Sequence, residues 1–159
     1  MSEVQRYEYV LALSSIAPCA VEDASIRQPL PTDAEALAEL MLDAYLGTID
    51  DEGETLEDAR QEVARYFAGA AMLDCSWLRL ADDLPVSASL VSQWAERGCA
   101  IVSYVMTTAA WKGEGFASEL LGRSLASLAE AGHGEVRAAI TEGNVPSETI
   151  FARAGFRRV

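Results

Sequence analysis

The residues best suited to chemistry lie at Lys112-Gly113-Glu114-Gly115-Phe116-Ala117, where an apolar extended run meets a helical one. Before this joint the chain alternates. Ile101, Ser103, Val105 and Thr107 are expected on one side of a strand, with Val102, Tyr104 and Met106 on the other. After it, Phe116, Leu120, Leu121, Ser124, Leu125 and Leu128 recur at helical spacing, which leaves Glu119 and Arg123 in water. A strand that turns through two glycines into a helix presents unpaired amides and the positive end of the helix dipole. The chemistry this offers is anion binding, phosphate above all. Two phosphate loops are excluded by spacing: a nucleoside-triphosphate loop needs four residues between its first Gly and a Gly-Lys-Ser/Thr, and a dinucleotide fingerprint needs a third Gly where Ser118 stands.

A second polar group follows a short strand at Val136 to Thr141, whose Val136, Ala138 and Ile140 share a face. Glu142, at the end of that strand, reads either as an exposed turn carboxylate, the better fit, or as a base acting through water. Asn144 suits either a turn or a hydrogen bond to a ligand amide, and Ser147 is expected to cap the last helix. His133 stands between Gly132 and Gly134, so it reads as a turn residue without a catalytic role. Cys19, Cys75 and Cys99 are odd in number and widely spaced, which points to reduced thiols rather than to disulfides or zinc.

Lys112, Gly115 and Ala117 match the Gln/Arg-x-x-Gly-x-Gly/Ala pyrophosphate loop of the GNAT superfamily of acyl-CoA-dependent N-acyltransferases, with Lys in the first place and Ala109 where the family often carries Pro. Glu142-Gly143-Asn144-Val145-Pro146-Ser147 and Ile150 to Phe156 resemble that family's asparagine turn, short helix and terminal Gly-Phe. The two blocks come in the family's order, and the resemblance covers about residues 25 to 156. It implies acetyl-CoA as cosubstrate and direct transfer of its acetyl group to an amine of a small molecule or peptide. By the same resemblance, Val105, Met106 and Thr107 would pair with the pantetheine arm. The amides of Lys112, Gly113, Glu114, Gly115, Phe116 and Ala117 would hold the pyrophosphate. Asn144 and Ser147 would meet the arm from the other side. Where the family commonly places a Tyr to protonate the leaving thiolate, this chain has Phe151, so Tyr104, Tyr45 or a water must substitute. The alternative is a module that binds acetyl-CoA without turnover.

The fold class expected is α/β, with a mixed, mainly antiparallel GNAT-like sheet flanked by helices in one domain over residues 1–159. Thr32 and Glu35 form a capping-box pattern ahead of a helix striped by Leu37, Leu40, Met41, Ala44 and Tyr45. Thr55 can cap a second helix striped by Leu56, Ala59, Val63, Tyr66 or Phe67, and Ala70. Ser76–Leu80, Pro85–Trp94 and the central strand form a meander, and the family resemblance implies that residues 45 to 96 build the acceptor pocket. Residues 1–19 add a strand, Gln5 to Ser14, and the start of a linker. Family members usually continue past the Gly-Phe corner, whereas this sequence stops at Val159. The extra strand is therefore expected to take the missing strand's place, in its own chain or swapped within a homodimer.

The formal charge is −13, and between Asp33 and Asp74 twelve acids face two bases. Such a balance disfavours nucleic acid and suits either solubility or the attraction of a cationic acceptor. No apolar run approaches the roughly 20 residues of a membrane helix, and no secretory leader is recognisable, so a cytoplasmic protein is expected.

Overall fold

A computed structural model describes residues 5–18 and 22–159. Cys19 and the first part of the expected linker lie outside the described residues. The strands are β1 (Arg6–Ala12), β2 (Ile26–Arg27), β3 (Trp77–Ala81), β4 (Leu84–Trp94), β5 (Cys99–Thr107), β6 (Glu135–Thr141) and β7 (Arg157–Arg158). The helices are α1 (Ala34–Tyr45), α2 (Leu56–Ala68), α3 (Phe116–Glu130) and α4 (Val145–Ala154). One sheet holds all seven strands in the order β2-β3-β4-β5-β6-β1-β7. Every neighbouring pair is antiparallel except β5 and β6, which are joined through α3 and run parallel.

Each face of the sheet has its own core. The helical stripes of α1 and α2 put Leu37, Leu40, Met41, Val63 and Tyr66 against Leu78, Ala88, Leu90 and Met106. On the other face Leu121, Leu125 and Leu128 of α3, with Phe151 and Phe156, cover Val91, Ala100, Val102, Val136, Ala138 and Ile140. β1 pairs with β6 along its whole length, from Arg6 opposite Thr141 to Ala12 opposite Glu135, and sends Leu11 into this second core; Leu13, just beyond the strand, is buried there too. Its outer side pairs with β7 only at Tyr9 and Val10. Asp82 and Asp83 both take positive φ, 50° and 63°, as a two-residue hairpin requires, and join β3 to β4.

Two local expectations are corrected. The box of Thr32 and Glu35 does not form: the chain enters α1 through a 3-10 turn at Pro31–Asp33. Asp33 instead accepts the Leu30 amide at 2.7 Å and both ends of the Arg27 guanidinium at 2.8 Å, a stronger tie than a hydroxyl cap. The strict alternation of β5 is also broken. Leu90 lies opposite Tyr104 and Val91 opposite Val102, so Ser103 is an extra residue, a β-bulge. Val102 therefore packs with Val105 toward α3, while Tyr104 and Met106 pack toward α1 and α2. By contrast, Thr55 caps α2 as expected, in a reciprocal box with Asp58.

Candidate functional site

The bulge at Ser103 has its main consequence on the other side of β5. Parallel pairing with β6 covers only Ala100 to Val102 against Val136 to Ala138. Past that point the two strands diverge, and the β6-facing backbone groups of Ser103 to Thr107 have no strand partner. An extended ligand carrying amides can pair there as a strand would.

At the open end of the split lies the joint of β5 and α3. Gly113 and Gly115 have φ of 85° and 81°, and no side chain caps α3. The first-turn amides of Phe116, Ala117 and Ser118 donate to no protein acceptor among the described residues. A Cβ built on either glycine meets no protein atom within 4 Å, so the space above the loop is open. Orphan donors, the dipole and an unobstructed approach make this an anion cradle. Phe116 is fixed from behind by Trp111, stacked at 5.6 Å, and by the Arg79 guanidinium at 4.2 Å. Lys112 is turned elsewhere. Its ammonium donates to the Ala44 carbonyl at 2.8 Å, at the C-terminal end of α1, where a cation is favoured. Asp43 helps hold the loop to α1 by accepting the Thr108 hydroxyl and, at 2.8 Å, the Ala109 amide; these bonds keep its carboxyl below the usual range. Glu114 is exposed.

Between the diverging strands and the helices α1 and α2 opens a cavity of about 560 Å³. Ile101 to Val105 form one wall, Ala139 to Thr141 another, and Ser147 and Phe151 close one end. Tyr104 reaches it with its hydroxyl, which donates to the Glu62 carboxylate of α2; Arg65 binds the same carboxylate. Burial first, then Glu62, pushes the Tyr104 phenol above its ordinary value. The Tyr104 hydroxyl, followed by Arg65, holds Glu62 below the usual carboxylate range. Tyr45 at the end of α1 also lines the cavity, its phenol raised by burial and then by Asp50.

Asn144 is placed beside the cavity, but its side chain is engaged. Its amide donates to Asp50 at 2.9 Å, and its carbonyl caps α4 by accepting the Ser147 amide at 3.2 Å. The cap is thus Asn144, not Ser147. Asp50 also accepts the Thr141 hydroxyl at 2.6 Å, tying the loop after α1 to the end of β6. Glu142 is an exposed turn carboxylate outside the cavity wall, the better-fitting of its two readings, and as a candidate base it does not reach the site. Phe151 is buried edge-to-face on Phe156 at 5.0 Å, with no proton to give. Glu62, Asp50 and Arg6 also line the cavity, and sequence reasoning did not single them out. One trace of Glu62 was available: it lies one turn from Tyr66 and Ala59 on α2, at the flank of the apolar stripe. No cluster of His, Cys, Asp or Glu among the described residues could hold a metal ion. No helix among them is long and apolar enough to cross a membrane.

A parallel strand pair that splits, facing a glycine-rich helix start, marks this fold. The chain belongs to the acetyltransferase (GNAT) domain family, whose model matches residues 24–157. Solved structures share the fold. A GCN5-related N-acetyltransferase from Sphaerobacter thermophilus superposes with a TM-score of 0.74 at 19% identity, over 97% of this chain and 48% of that one. A GNAT family acetyltransferase from Brucella melitensis, in complex with acetyl-CoA, gives 0.65 at 22% identity over 84% and 85%. The PaiA N-acetyltransferase from Thermoplasma acidophilum, in complex with coenzyme A, gives 0.64 at 17% identity over 83% and 88%. This chain spans about half the length of the Sphaerobacter protein it matches. A comparison with curated proteins found no significant match.

Proposed function

We propose that this chain binds acetyl-CoA and transfers its acetyl group to an amine of a small molecule or peptide by direct attack. The observation that carries the reading is the split of β5 from β6, aimed at a cradle of orphan amides. Acetyl-CoA supplies an activated thioester; the chain's part is to hold it. The amides of Gly113 through Ala117 would take the pyrophosphate, and the unpaired edge from Val105 to Thr107 would take the pantetheine amides. An amide on that edge would also meet the thioester oxygen, where negative charge grows during attack. Membership of the acetyltransferase family and the bound acetyl-CoA and coenzyme A of the Brucella and Thermoplasma proteins support this assignment. Lys112, committed to the end of α1, acts on the pyrophosphate through loop position rather than contact. Asn144 and Ser147 shape the inner end of the split.

The acceptor would enter the cavity under α1 and α2. Its wall carries Asp50, Asp51, Glu52, Glu54, Asp58 and Glu62 beside Arg6 and Arg65, a balance that favours an amine arriving as a cation. We further read β1 as filling the sheet position that the family's C-terminal strand usually occupies, and the chain as one domain. The second reading, a binding module without turnover, rests on Phe151. Thiol release from acetyl-CoA over an amine panel decides: turnover selects the transferase, and binding without turnover selects the module.

A further inference from the structure

Within the transferase reading, on which this inference rests, one pair of residues has no assigned partner in the reaction. Tyr104 and Glu62 come from different elements, β5 and α2, and are hydrogen-bonded to each other on the wall of the acceptor cavity. Tyr104 adjoins the unpaired edge proposed to hold the thioester, one residue before Val105. Glu62 faces the volume left for the acceptor, with its side chain 40% exposed. Tyr66 supports the pair from below, its ring edge-to-face with Tyr104 at 6.5 Å. The other charged and titratable groups on the cavity around it are Arg6 from β1, Tyr45 from α1, Asp50, Asp51, Glu52 and Glu54 from the loop, and Asp58 and Arg65 from α2.

We propose that Glu62 and Tyr104 form a proton relay that carries the acceptor's proton to the departing thiolate. The acceptor, arriving as a cation, first gives one proton to solvent; the lone pair of the neutral amine then attacks the thioester carbonyl carbon, the carbon–sulfur bond breaks, and its electron pair leaves on sulfur. The nitrogen must shed one proton as the amide forms, and Glu62 takes it. Tyr104 gives its hydroxyl proton to the sulfur and recovers one from Glu62, so both side chains end as they began. The balance is one amine and one thioester converted to one amide and one thiol. The relay supplies the acid that Phe151 lacks. It also gives each member a reason for its protonation: Glu62 is held ionised, ready to accept, and Tyr104 is held protonated, ready to donate. A phenol raised in this way is a weak acid alone, but it need not ionise when its proton is replaced from Glu62 in the same step.

The test compares the parent with Glu62→Gln, Tyr104→Phe and the double variant. Acceptors are n-butylamine, 1,4-diaminobutane and a peptide with a free α-amine. Each single variant is expected to lose about 100-fold or more in kcat with KM for acetyl-CoA unchanged, the range in which general acid–base groups act. The double variant should be no worse than the worse single one, because the two act as a unit. A second readout needs no cosubstrate: carbon NMR of labelled glutamates in Tyr104→Phe should show the Glu62 carboxyl titrating at higher pH than in the parent, since its main stabilising hydrogen bond is gone. Turnover within about fivefold of the parent in either variant, or an unmoved Glu62 titration, overturns the relay and leaves the transferase reading standing. Loss of acetyl-CoA binding in both variants also overturns it, because the pair would then be holding the cradle. A parent that binds acetyl-CoA but releases no thiol with any of the three amines removes the transferase reading and the relay with it.

Discussion

Replacing Gly115 with Val separates the cost of a strained backbone from the loss of a ligand. Gly115 sits at φ 81°, ψ 8°, and an added Cβ would meet nothing in the protein within 4 Å. In the unliganded protein the penalty is therefore conformational alone, about 1–2 kcal/mol for an L-residue in left-handed geometry. At about 2–4 °C per kcal/mol for a chain of this size, melting should fall by roughly 2–8 °C. The same Cβ points into the space where a pyrophosphate would lie against the amides of Phe116 to Ser118. In the parent, acetyl-CoA at a hundredfold excess over its dissociation constant should add about 2.7 kcal/mol, or roughly 5–11 °C. Differential scanning fluorimetry with and without acetyl-CoA measures both terms. The expected result is a lowered baseline in the variant and no upward shift on adding the ligand. A variant with the lowered baseline and the parent's full shift would refute the assignment of the pyrophosphate to this loop.

Three further outcomes follow from the same structure. Asp33 is held below the usual carboxylate range by Arg27 and the Leu30 amide, so its contribution is complete above the unfolded value of about 3.9 and is lost as pH falls through its lower folded value; acid unfolding of Asp33→Asn, followed by circular dichroism, should be less steep in that window. If the acids around the cavity steer a cationic acceptor, kcat/KM for the amine should fall as added salt takes the Debye length below about 10 Å, and a flat profile returns those acids to keeping the surface soluble. Deleting residues 1–15 removes the strand that pairs along all of β6 and two core leucines, Leu11 and Leu13; since a single buried Leu→Ala change costs about 2–5 kcal/mol, the truncated chain should be insoluble or melt far below the parent, and a soluble variant with the parent melting temperature would show that β1 is dispensable.

The parts of this fold that were legible in the sequence are those dictated locally. The change from alternation to helical spacing at Gly115 marks the start of α3 without reference to anything distant, and Thr55 names its own helix start. What was not legible depends on partners far along the chain. A period of two shows a strand but not its register, so the offset at Ser103, which carries Val102 and Tyr104 to opposite faces, could not be read from β5 alone. The Thr32–Glu35 box satisfies a local rule, yet Asp33 with Arg27 offers a charge-assisted alternative that wins. Glu62 lies 42 positions from Tyr104, and its place in the cavity follows from how α2 packs, which no motif records.

A crystal structure of the chain soaked with acetyl-CoA tests most directly whether the split sheet and its glycine joint hold that molecule. Pyrophosphate density is expected against the amides of Gly113 to Ala117, with the pantetheine arm lying along Val105 to Thr107 between β5 and β6. Density for the molecule elsewhere on the surface, with the split left unoccupied, would contradict it.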